Sequence, residues 1–279
     1  MPNRKPLDPT SSPYAYVGAT LRDFRERAGL QQGELGRLVH VSTTYISQLE
    51  TAARRMDAPL VERLDRALKA DGKFVEVYRM AVNSERQRPV ADYFKFVAEL
   101  EPKARRIDRY GAGLFPGLLQ TPAYASAITR AWNPFRTDEE VDSLVQERLR
   151  RAQILDRPER PEFLAVVDEV ALRKPIGGPG VMREQLLHVA ERIRARQAVV
   201  QVLETRSGAH PLLGGQLVIM SFADAPPVAY VETPFTGSVL EASEAVAAAQ
   251  LAYHLTSAAA LPPEASLELI EAVAEEFRP

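Results

Sequence analysis

Residues 30–50 read LQQGELGRLVHVSTTYISQLE. The spacing of their apolar residues predicts two short amphipathic helices, one over 31–39 and one over 43–50. Ser42 is a good N-cap for the second helix, and Gly36 supplies the small residue that two steeply crossing helices need where they touch. The apolar anchors of the crossing are Leu35, Val39, Val41, Ile46 and Leu49. The stretch therefore predicts two packed helices joined by a short turn.

Three further helices flank this pair in the sequence. A helix over 16–27 ends at Gly29, which can adopt the left-handed conformation of a helix C-cap. Asp57 is the predicted N-cap of a fourth helix, and a fifth helix covers about 73–86. We therefore predict an all-α domain of five helices over residues 14–86.

The second helix of the pair exposes short polar side chains opposite its buried face. Side chains of this kind hydrogen-bond to base edges when a helix lies in the major groove of DNA. The residues of this face are Thr43, Thr44, Ser47 and Gln48. Two other readings stay open at this point, a plain helical bundle and a domain of the same fold that binds protein.

The stretch closely resembles the helix-turn-helix domains of the phage-repressor and xenobiotic-response-element (XRE) family. The matching positions are Gln32, Leu35, Val41, Ser42, Tyr45, Ile46, Ser47 and Glu50. The resemblance implies that Gln32 binds a phosphate at a helix N-terminus. It also implies that Thr43, Thr44 and Gln48 face the bases.

Two positions depart from that family pattern. His40 occupies the place of the usual turn glycine, so it must accept a strained backbone or a slightly different turn. The glycine that usually follows the final Glu is missing, and we expect Arg54 and Arg55 to contact phosphates instead. The complete candidate DNA-binding set is Gln32, Ser42, Thr43, Thr44, Tyr45, Ser47, Gln48, Arg54 and Arg55.

Charge is unevenly distributed along the chain. The net charge is −2 at pH 7, but residues 1–90 carry +4, residues 91–240 are neutral overall and residues 241–279 carry −6. The basic front leaves DNA binding electrostatically feasible. The chain has no cysteine, which removes disulfides and thiolate metal sites. No apolar run reaches the roughly 20 residues of a membrane span, and the N-terminus lacks a signal peptide, so we expect a cytoplasmic protein.

Residues 90–279 predict a second, α+β domain with a small sheet, which begins after Gln87-Arg88-Pro89. The predicted strands are 163–167, 198–203, 216–222 and 228–231. The predicted helices are 121–131, 138–155, 181–196, 242–260 and 264–277. An aromatic-rich helix over about 93–100 follows the boundary.

Several motifs of this second part are similar to the C-terminal domain of the WhiJ-like regulators of filamentous actinobacteria. The motifs are Phe115–Ala125, Val167–Arg173, Met182–Leu186 and Ser207–Pro211, together with Arg106, Ile107 and Tyr110. The resemblance implies an antitoxin-like domain that receives a signal or a small protein partner in a transcriptional repressor. The residues themselves indicate only a folded domain without evident chemistry.

No catalytic constellation stands out in the second domain, and we predict no enzyme activity, no cofactor and no metal site. Asp168 and Glu169 adjoin at a strand end, where capping is favoured over acid–base chemistry. The run Gly177–Gly180 fits no phosphate-binding fingerprint and indicates a tight connection. Trp132 is interpreted as a packing residue. The histidines that lack metal-ligand spacing are His188, His210 and His254.

Together these features favour a sequence-specific DNA-binding transcriptional regulator. We expect a homodimer on double-stranded DNA, with half-sites about one helical turn (roughly 34 Å) apart. A small protein partner is the favoured input to the C-terminal domain, and a small ligand is the alternative. Two other classes stay open, an antitoxin that mainly sequesters its partner and a hydrolase that uses Asp168 or Glu169.

Overall fold

The computed structural model describes residues 8–10, 12–85, 96–233 and 237–278. The chain divides into two compact units. The first unit contains Met1–Asp92 and two short segments from later in the chain, Ala223–Pro227 and Leu240–Val246. The second unit contains the remaining residues. The sequence predicted an unbroken second domain over 90–279, so the structure adds these two segments to the N-terminal domain.

The N-terminal part of the first unit folds into five helices over its described residues, as predicted. They are α1 (Pro13–Arg27), α2 (Gln32–Leu38), α3 (Thr43–Glu50), α4 (Ala58–Ala67) and α5 (Lys73–Glu85). Ser42 and Asp57 cap α3 and α4, because each side chain accepts a hydrogen bond from an N–H group of the first helical turn. Helix α1 begins earlier than the apolar period indicated, because Ser12 caps it.

All five helices contribute to the core of the first unit. Its largest fully buried side chains are Leu21, Leu35, Ile46, Leu49, Leu64 and Phe74. Helices α1 and α3 approach each other at Gly18, where a Cβ atom would lie 2.6 Å from the carbonyl oxygen of Leu49. The absence of a side chain at Gly18 therefore brings the end of α3 against α1.

The second unit is built on a six-stranded mixed sheet. The strands are β1 (Arg106–Gly111), β2 (Glu162–Asp168), β3 (Val199–Leu203), β4 (Gln216–Ser221), β5 (Val228–Glu232) and β6 (Gly237–Leu240). Their order across the sheet is β3-β2-β1-β4-β5-β6. Strands β1, β2 and β3 are parallel, whereas β4 pairs antiparallel with both β1 and β5. The sheet thus joins a parallel half to an antiparallel half at β1.

Helices cover the parallel half. They are α6 (Pro122–Trp132), α7 (Asp138–Ala152), α8 (Glu169–Arg173), α9 (Pro179–Arg194), α10 (Ser243–Ala258) and α11 (Pro263–Glu276). Helix α11 packs against α9 and β3. The expected aromatic-rich helix is present over 96–100, and residues 93–95 lie outside the described residues. The α+β class of this part is confirmed.

The four predicted strands are confirmed as β2 to β5, and two strands were missed. Strand β1 reads RIDRYG, and every residue after Arg106 is buried although two of them are charged. Charged residues in a buried strand argue against a strand when only the sequence is considered. Strand β6 is only four residues long and carries a glycine and a serine.

Three smaller predictions of the second unit have clear outcomes. Asp168 caps α8 by accepting a hydrogen bond of 2.9 Å from the N–H of Val170, as expected. Gly177 and Gly178 adopt φ values of 72° and 93°, which makes the tight connection that the glycine run indicated. Trp132, interpreted as a packing residue, lies at the end of α6 and is 60% exposed, so it is not part of the buried core.

Candidate nucleic-acid interface

The turn between α2 and α3 is compact. A Cβ atom at Gly36 would lie 2.7 Å from the carbonyl oxygen of Val41, so only glycine allows this close approach. The N–H of Val41 donates to the carbonyl of Gly36 at 2.8 Å. His40 adopts φ 59°, a left-handed conformation, so of the two alternatives left by the missing turn glycine the structure has the strained backbone. The two helices therefore cross as the sequence indicated, with His40 as the irregular joint.

Helix α3 presents a polar face to solvent. Its members are the exposed Thr43 and Thr44 and the half-buried Ser47 and Gln48. Ile46 and Leu49 on the other side are 0% and 1% exposed, which anchors the helix in the core. The Oε1 atom of Gln48 is buried and accepts no hydrogen bond within the described part of the chain. This face carries hydroxyl and amide groups that can donate to or accept from base edges.

Tyr45 does not belong to that face, although the sequence placed it in the DNA-binding set. The residue is 5% exposed, and its hydroxyl donates to the carbonyl of Arg55 at 3.2 Å. Burial raises the pKa of the Tyr45 hydroxyl, so it stays protonated. Tyr45 is therefore a core residue that holds the loop after α3, and a direct contact to DNA is wrong.

A buried carboxylate at the end of α3 ties three helices together. The side chain of Glu50 is 0% exposed, and its Oε2 accepts from Nη2 of Arg25 at 3.1 Å. The same oxygen accepts from the Gln32 amide at 2.8 Å and lies 3.4 Å from Nε of Arg22. The bond to Glu50 raises the pKa of Arg25. This Glu50 network, formed by Glu50, Arg22, Arg25 and Gln32, joins α1, α2 and α3.

Membership of this network corrects the predicted role of Gln32. The sequence assigned its side chain to a phosphate, but the amide nitrogen, which is its donor group, is bound to the Glu50 carboxylate. A phosphate contact by this side chain would leave a buried carboxylate with one donor fewer. Gln32 does line a cleft of about 550 Å³ beside Thr43, so its backbone is near the polar face of α3.

Arg54 is also placed differently from the prediction. The residue is 4% exposed, and its Nη2 donates to the carbonyl of Pro226 at 2.6 Å. Its Nε lies 3.9 Å from Oε1 of Glu241. Both partners belong to the two later segments of the first unit, which cover the guanidinium. A phosphate contact by Arg54 is therefore wrong, because the group is already buried and paired.

Arg55 is half-buried and its guanidinium lies 4.2 Å from the ring centroid of Tyr14. Such a position over an aromatic face is attractive for a cation. Its backbone N–H donates to Oε1 of Glu241 at 3.1 Å. Arg55 thus stays at the edge of the domain, and its phosphate contact remains a prediction.

Glu241 is the centre of these contacts, and its side chain is only 9% exposed. Burial raises the pKa of the Glu241 carboxyl to about 7, against the opposing effects of Arg54 and Arg55. The neighbouring segment reaches α3 itself, because the Ser42 hydroxyl donates to the carbonyl of Asp224 at 3.2 Å. The N-cap of α3 and the loop after it are therefore held by residues from the far end of the chain.

Two features of this site were absent from the sequence analysis. Glu50 was recognised as a matching position, but its partners lie 18 to 28 residues away along the chain and no local pattern connects them. The segments around Asp224 and Glu241 carry no signal of contact with the N-terminal domain.

Two family models match the chain. A model described as Domain of unknown function (DUF5753) matches residues 94–272, and a model described as Helix-turn-helix domain matches residues 17–76. No curated protein matches the chain, and no solved structure does. The helix-turn-helix match supports a DNA-binding regulator.

Two further properties concern the described residues alone. They hold no group of three or more His, Cys, Asp or Glu side chains that could bind a metal ion. Their helices include none with the length and apolar character needed to cross a membrane.

Proposed function

The chain belongs to the family of the Domain of unknown function (DUF5753), and we propose that within it this protein is a sequence-specific transcriptional regulator that reads DNA with α3. The polar, solvent-facing side of α3 carries the proposal, because its buried side is fully anchored by Ile46 and Leu49. Short hydroxyl and amide side chains in this position suit the major groove. Repression, as opposed to activation, rests on the resemblance of the second part of the chain to the WhiJ-like regulators.

We assign direct base contacts to four residues and phosphate contacts to a second set. The proposed base-reading residues are Thr43, Thr44, Ser47 and Gln48. Phosphate contacts are assigned to Arg55 and to Arg37, which is exposed near the end of α2. The Ser42 hydroxyl caps α3 and would act by orienting the helix. The side chains assigned to base contacts are uncharged, so the salt-dependent part of the affinity for DNA comes from the phosphate contacts.

Regulation is proposed to pass through the two later segments of the first unit. They follow β4 and β6 in the chain, and they hold Ser42, Arg54 and Arg55 around α3. A signal that shifted either segment would change how α3 is held and would thereby alter DNA affinity. The proposed signal is a small protein partner, in line with the antitoxin-like resemblance, and the proposed assembly is a homodimer.

The test begins with selection of the preferred operator from a pool of random duplexes by the full-length protein. Affinity for that operator and for a scrambled duplex is then measured for the wild type, Thr44→Ala and Gln48→Ala. Each variant should lose about 1–3 kcal/mol of operator binding, roughly 5- to 150-fold in Kd, while scrambled-duplex binding stays constant. Gln153→Ala, an exposed position of the second unit, is the control and should bind like the wild type.

Selection of no preferred sequence, or unchanged operator affinity in both α3 variants, would refute α3 as the reading helix. The partner is tested separately by isolating the tagged protein from its own host with and without operator DNA. A small protein that displaces the operator supports regulation through the second unit. A partner that binds equally well to the Thr44→Ala protein and leaves operator binding unaffected would favour sequestration as the main role.

A further inference from the structure

Arg109 is a cation in the middle of the sheet of the second unit. It lies on β1, where its neighbours in register are Ala165 on β2 and Val218 on β4. The residue is only 8% exposed. Burial lowers the pKa of Arg109, but a guanidinium does not lose its proton in proteins. A permanent charge is therefore held inside the sheet, where it needs compensation.

The described residues give Arg109 little of that compensation. Its Nε atom has no hydrogen-bond partner there. Its Nη2 donates to the amide oxygen of Gln216 at 3.4 Å, which is a long bond to a neutral group. No carboxylate of the described residues lies within 4.0 Å of this guanidinium, the distance at which an ion pair is counted. Most buried arginines are paired, so this one is an exception.

A second guanidinium, whose charge interacts with that of Arg109, belongs to the half-buried Arg148 on α7. Arg148 donates to the amide oxygen of Gln120 at 2.7 Å, and like Arg109 it forms no ion pair with a described carboxylate. Burial first, then the positive charges of Arg151 and Arg109, lower the pKa of Arg148. Glu101, whose charge acts on Arg109, is bound by Arg151 through two hydrogen bonds of 2.8 and 3.0 Å. Among the described residues, Arg109 and Arg148 thus have no carboxylate within 4.0 Å.

The hydroxyl of Tyr230, on the same face of the sheet, also lacks a hydrogen-bond partner among the described residues. Val218 pairs with Tyr230 in register, so Tyr230 points to the same side as Arg109. Its hydroxyl is buried. Glycine at position 237 leaves the space for it, because a Cβ atom there would lie 2.3 Å from the hydroxyl oxygen.

The charges of the cluster do not balance. Among the described residues, Glu101 is bound to Arg151, and Glu232 is the other acid whose charge acts on Arg109 and Arg148. Arg109 and Arg148 therefore share one carboxylate charge within the described residues, and an uncompensated ion with little exposure to solvent costs free energy. A single negative charge with two acceptor oxygens would remove that cost and match the geometry of a guanidinium. A doubly charged phosphate would reverse the imbalance instead.

We propose that Arg109 and Arg148, with the hydroxyl of Tyr230, bind the carboxylate group of a small molecule. We place the rest of such a molecule in a cleft that the three residues do not line themselves but that Gln120, the partner of Arg148, does. The amide oxygen of Gln120 holds Arg148, and the cleft has a volume of about 700 Å³. Leu149, Ala152 and Leu187 give this cleft apolar walls, and Arg183 and Glu184 give it polar ones. A cleft of that volume accommodates a small organic acid.

The test is thermal unfolding of the full-length protein without DNA, which keeps it independent of the proposed function. Acetate, benzoate and citrate serve as carboxylate probes, inorganic phosphate as the competing anion and chloride as the reference at equal ionic strength. At least one carboxylate should raise Tm by about 2 °C or more, because a ligand that binds only the folded state stabilises it. The rise should follow probe concentration with saturation.

Three variants separate binding from general salt effects. In Arg109→Met the carboxylate-induced rise should disappear, while Tm in chloride should stay equal or increase because an unpaired charge has been removed. Tyr230→Phe keeps the ring and should reduce the apparent affinity severalfold. Arg150→Met, on the same helix as Arg148 but exposed, should respond like the wild type.

The proposal is overturned if no carboxylate raises Tm, or if Arg109→Met responds like the wild type. Stabilisation by phosphate alone would overturn the assignment to a carboxylate. A large drop in Tm of Arg109→Met in chloride would show that its charge is already compensated within the protein, which also contradicts the proposal.

Discussion

The Glu50 network of the first unit and the Arg109 cluster of the second, formed by Arg109, Arg148 and Tyr230, differ in how completely a charge is paired. Each places a charge in a region closed to solvent. Glu50 is surrounded by donors from two other helices, so its charge is fully used within the protein. Arg109 has one long bond to a neutral amide. Full pairing indicates a structural role, whereas the incomplete pairing of Arg109 among the described residues is the observation behind the proposed carboxylate site.

The largest expected effect comes from breaking the complete network. Glu50→Ala leaves Arg25 buried without its carboxylate, and we expect a loss of about 3–5 kcal/mol in the free energy of unfolding. This loss is measured by urea denaturation monitored by circular dichroism. The double variant Arg25→Met/Glu50→Met should lose much less, because no charge is then left unpaired. Equal losses in the single and the double variant would mean that packing, and not charge pairing, dominates at this position.

Glu241 is an intermediate case between Glu50 and Arg109. Its carboxyl is paired, but its pKa is still raised to about 7 from an ordinary value of 4.5. A raised pKa means that the folded protein holds the proton more tightly than the unfolded chain. This contribution to stability is therefore complete below about pH 4.5 and is lost as pH rises through 7. Arg54, Arg55 and Asp57 are the charged groups that act on this carboxyl.

The matching measurement is urea denaturation between pH 5 and pH 8 for the wild type and Glu241→Gln. Relative to the variant, the wild type should lose on the order of 2–3 kcal/mol over this range. Glu244→Gln, an exposed neighbour, is the control and should keep a constant difference. A difference between the wild type and Glu241→Gln that does not change with pH would mean that Arg54 holds this carboxyl ionised throughout.

A direct comparison of two arginines sharpens the contrast further. Arg25→Met should destabilise the protein by about 3 kcal/mol, because Glu50 loses its main partner. Arg109→Met should change the free energy of unfolding by no more than about 1 kcal/mol, or raise it. Both values come from the same denaturation series in chloride buffer. Equal destabilisation by the two substitutions would remove the distinction between the two regions.

The smallest effect on stability is expected on the polar face of α3. Thr44→Ala and Gln48→Ala should leave the free energy of unfolding within about 0.5 kcal/mol of the wild type. Thr44 is exposed. Gln48 is half-buried, and its amide oxygen accepts no hydrogen bond from the described residues. Differential scanning calorimetry checks this. A loss above about 2 kcal/mol would assign these side chains to the fold and not to recognition.

The sequence by itself determined the local architecture of the first unit. The apolar period, the caps at Ser42 and Asp57 and the small residue at Gly36 are encoded within a few residues of where they act. The missing turn glycine at His40 was likewise a local signal of an unusual backbone or turn, and the structure shows a left-handed residue there. Four strands of the second unit were also predicted, because short apolar runs between turn residues are a local signal.

Only the tertiary structure decided which polar residues are free to act. Gln32, Tyr45 and Arg54 belonged to the predicted DNA-binding set, yet the fold uses their side chains to bind Glu50, the loop after α3 and the segment at Pro226. Arg109 lies on β1, which was not predicted as a strand because it contains charged residues. The partners of Gln32 and Arg54 lie 18 and 172 residues away in the sequence, and that of Tyr45 lies 10 residues away, beyond the end of α3. Burial and pairing depend on such distant contacts, so no local pattern of residues can specify them.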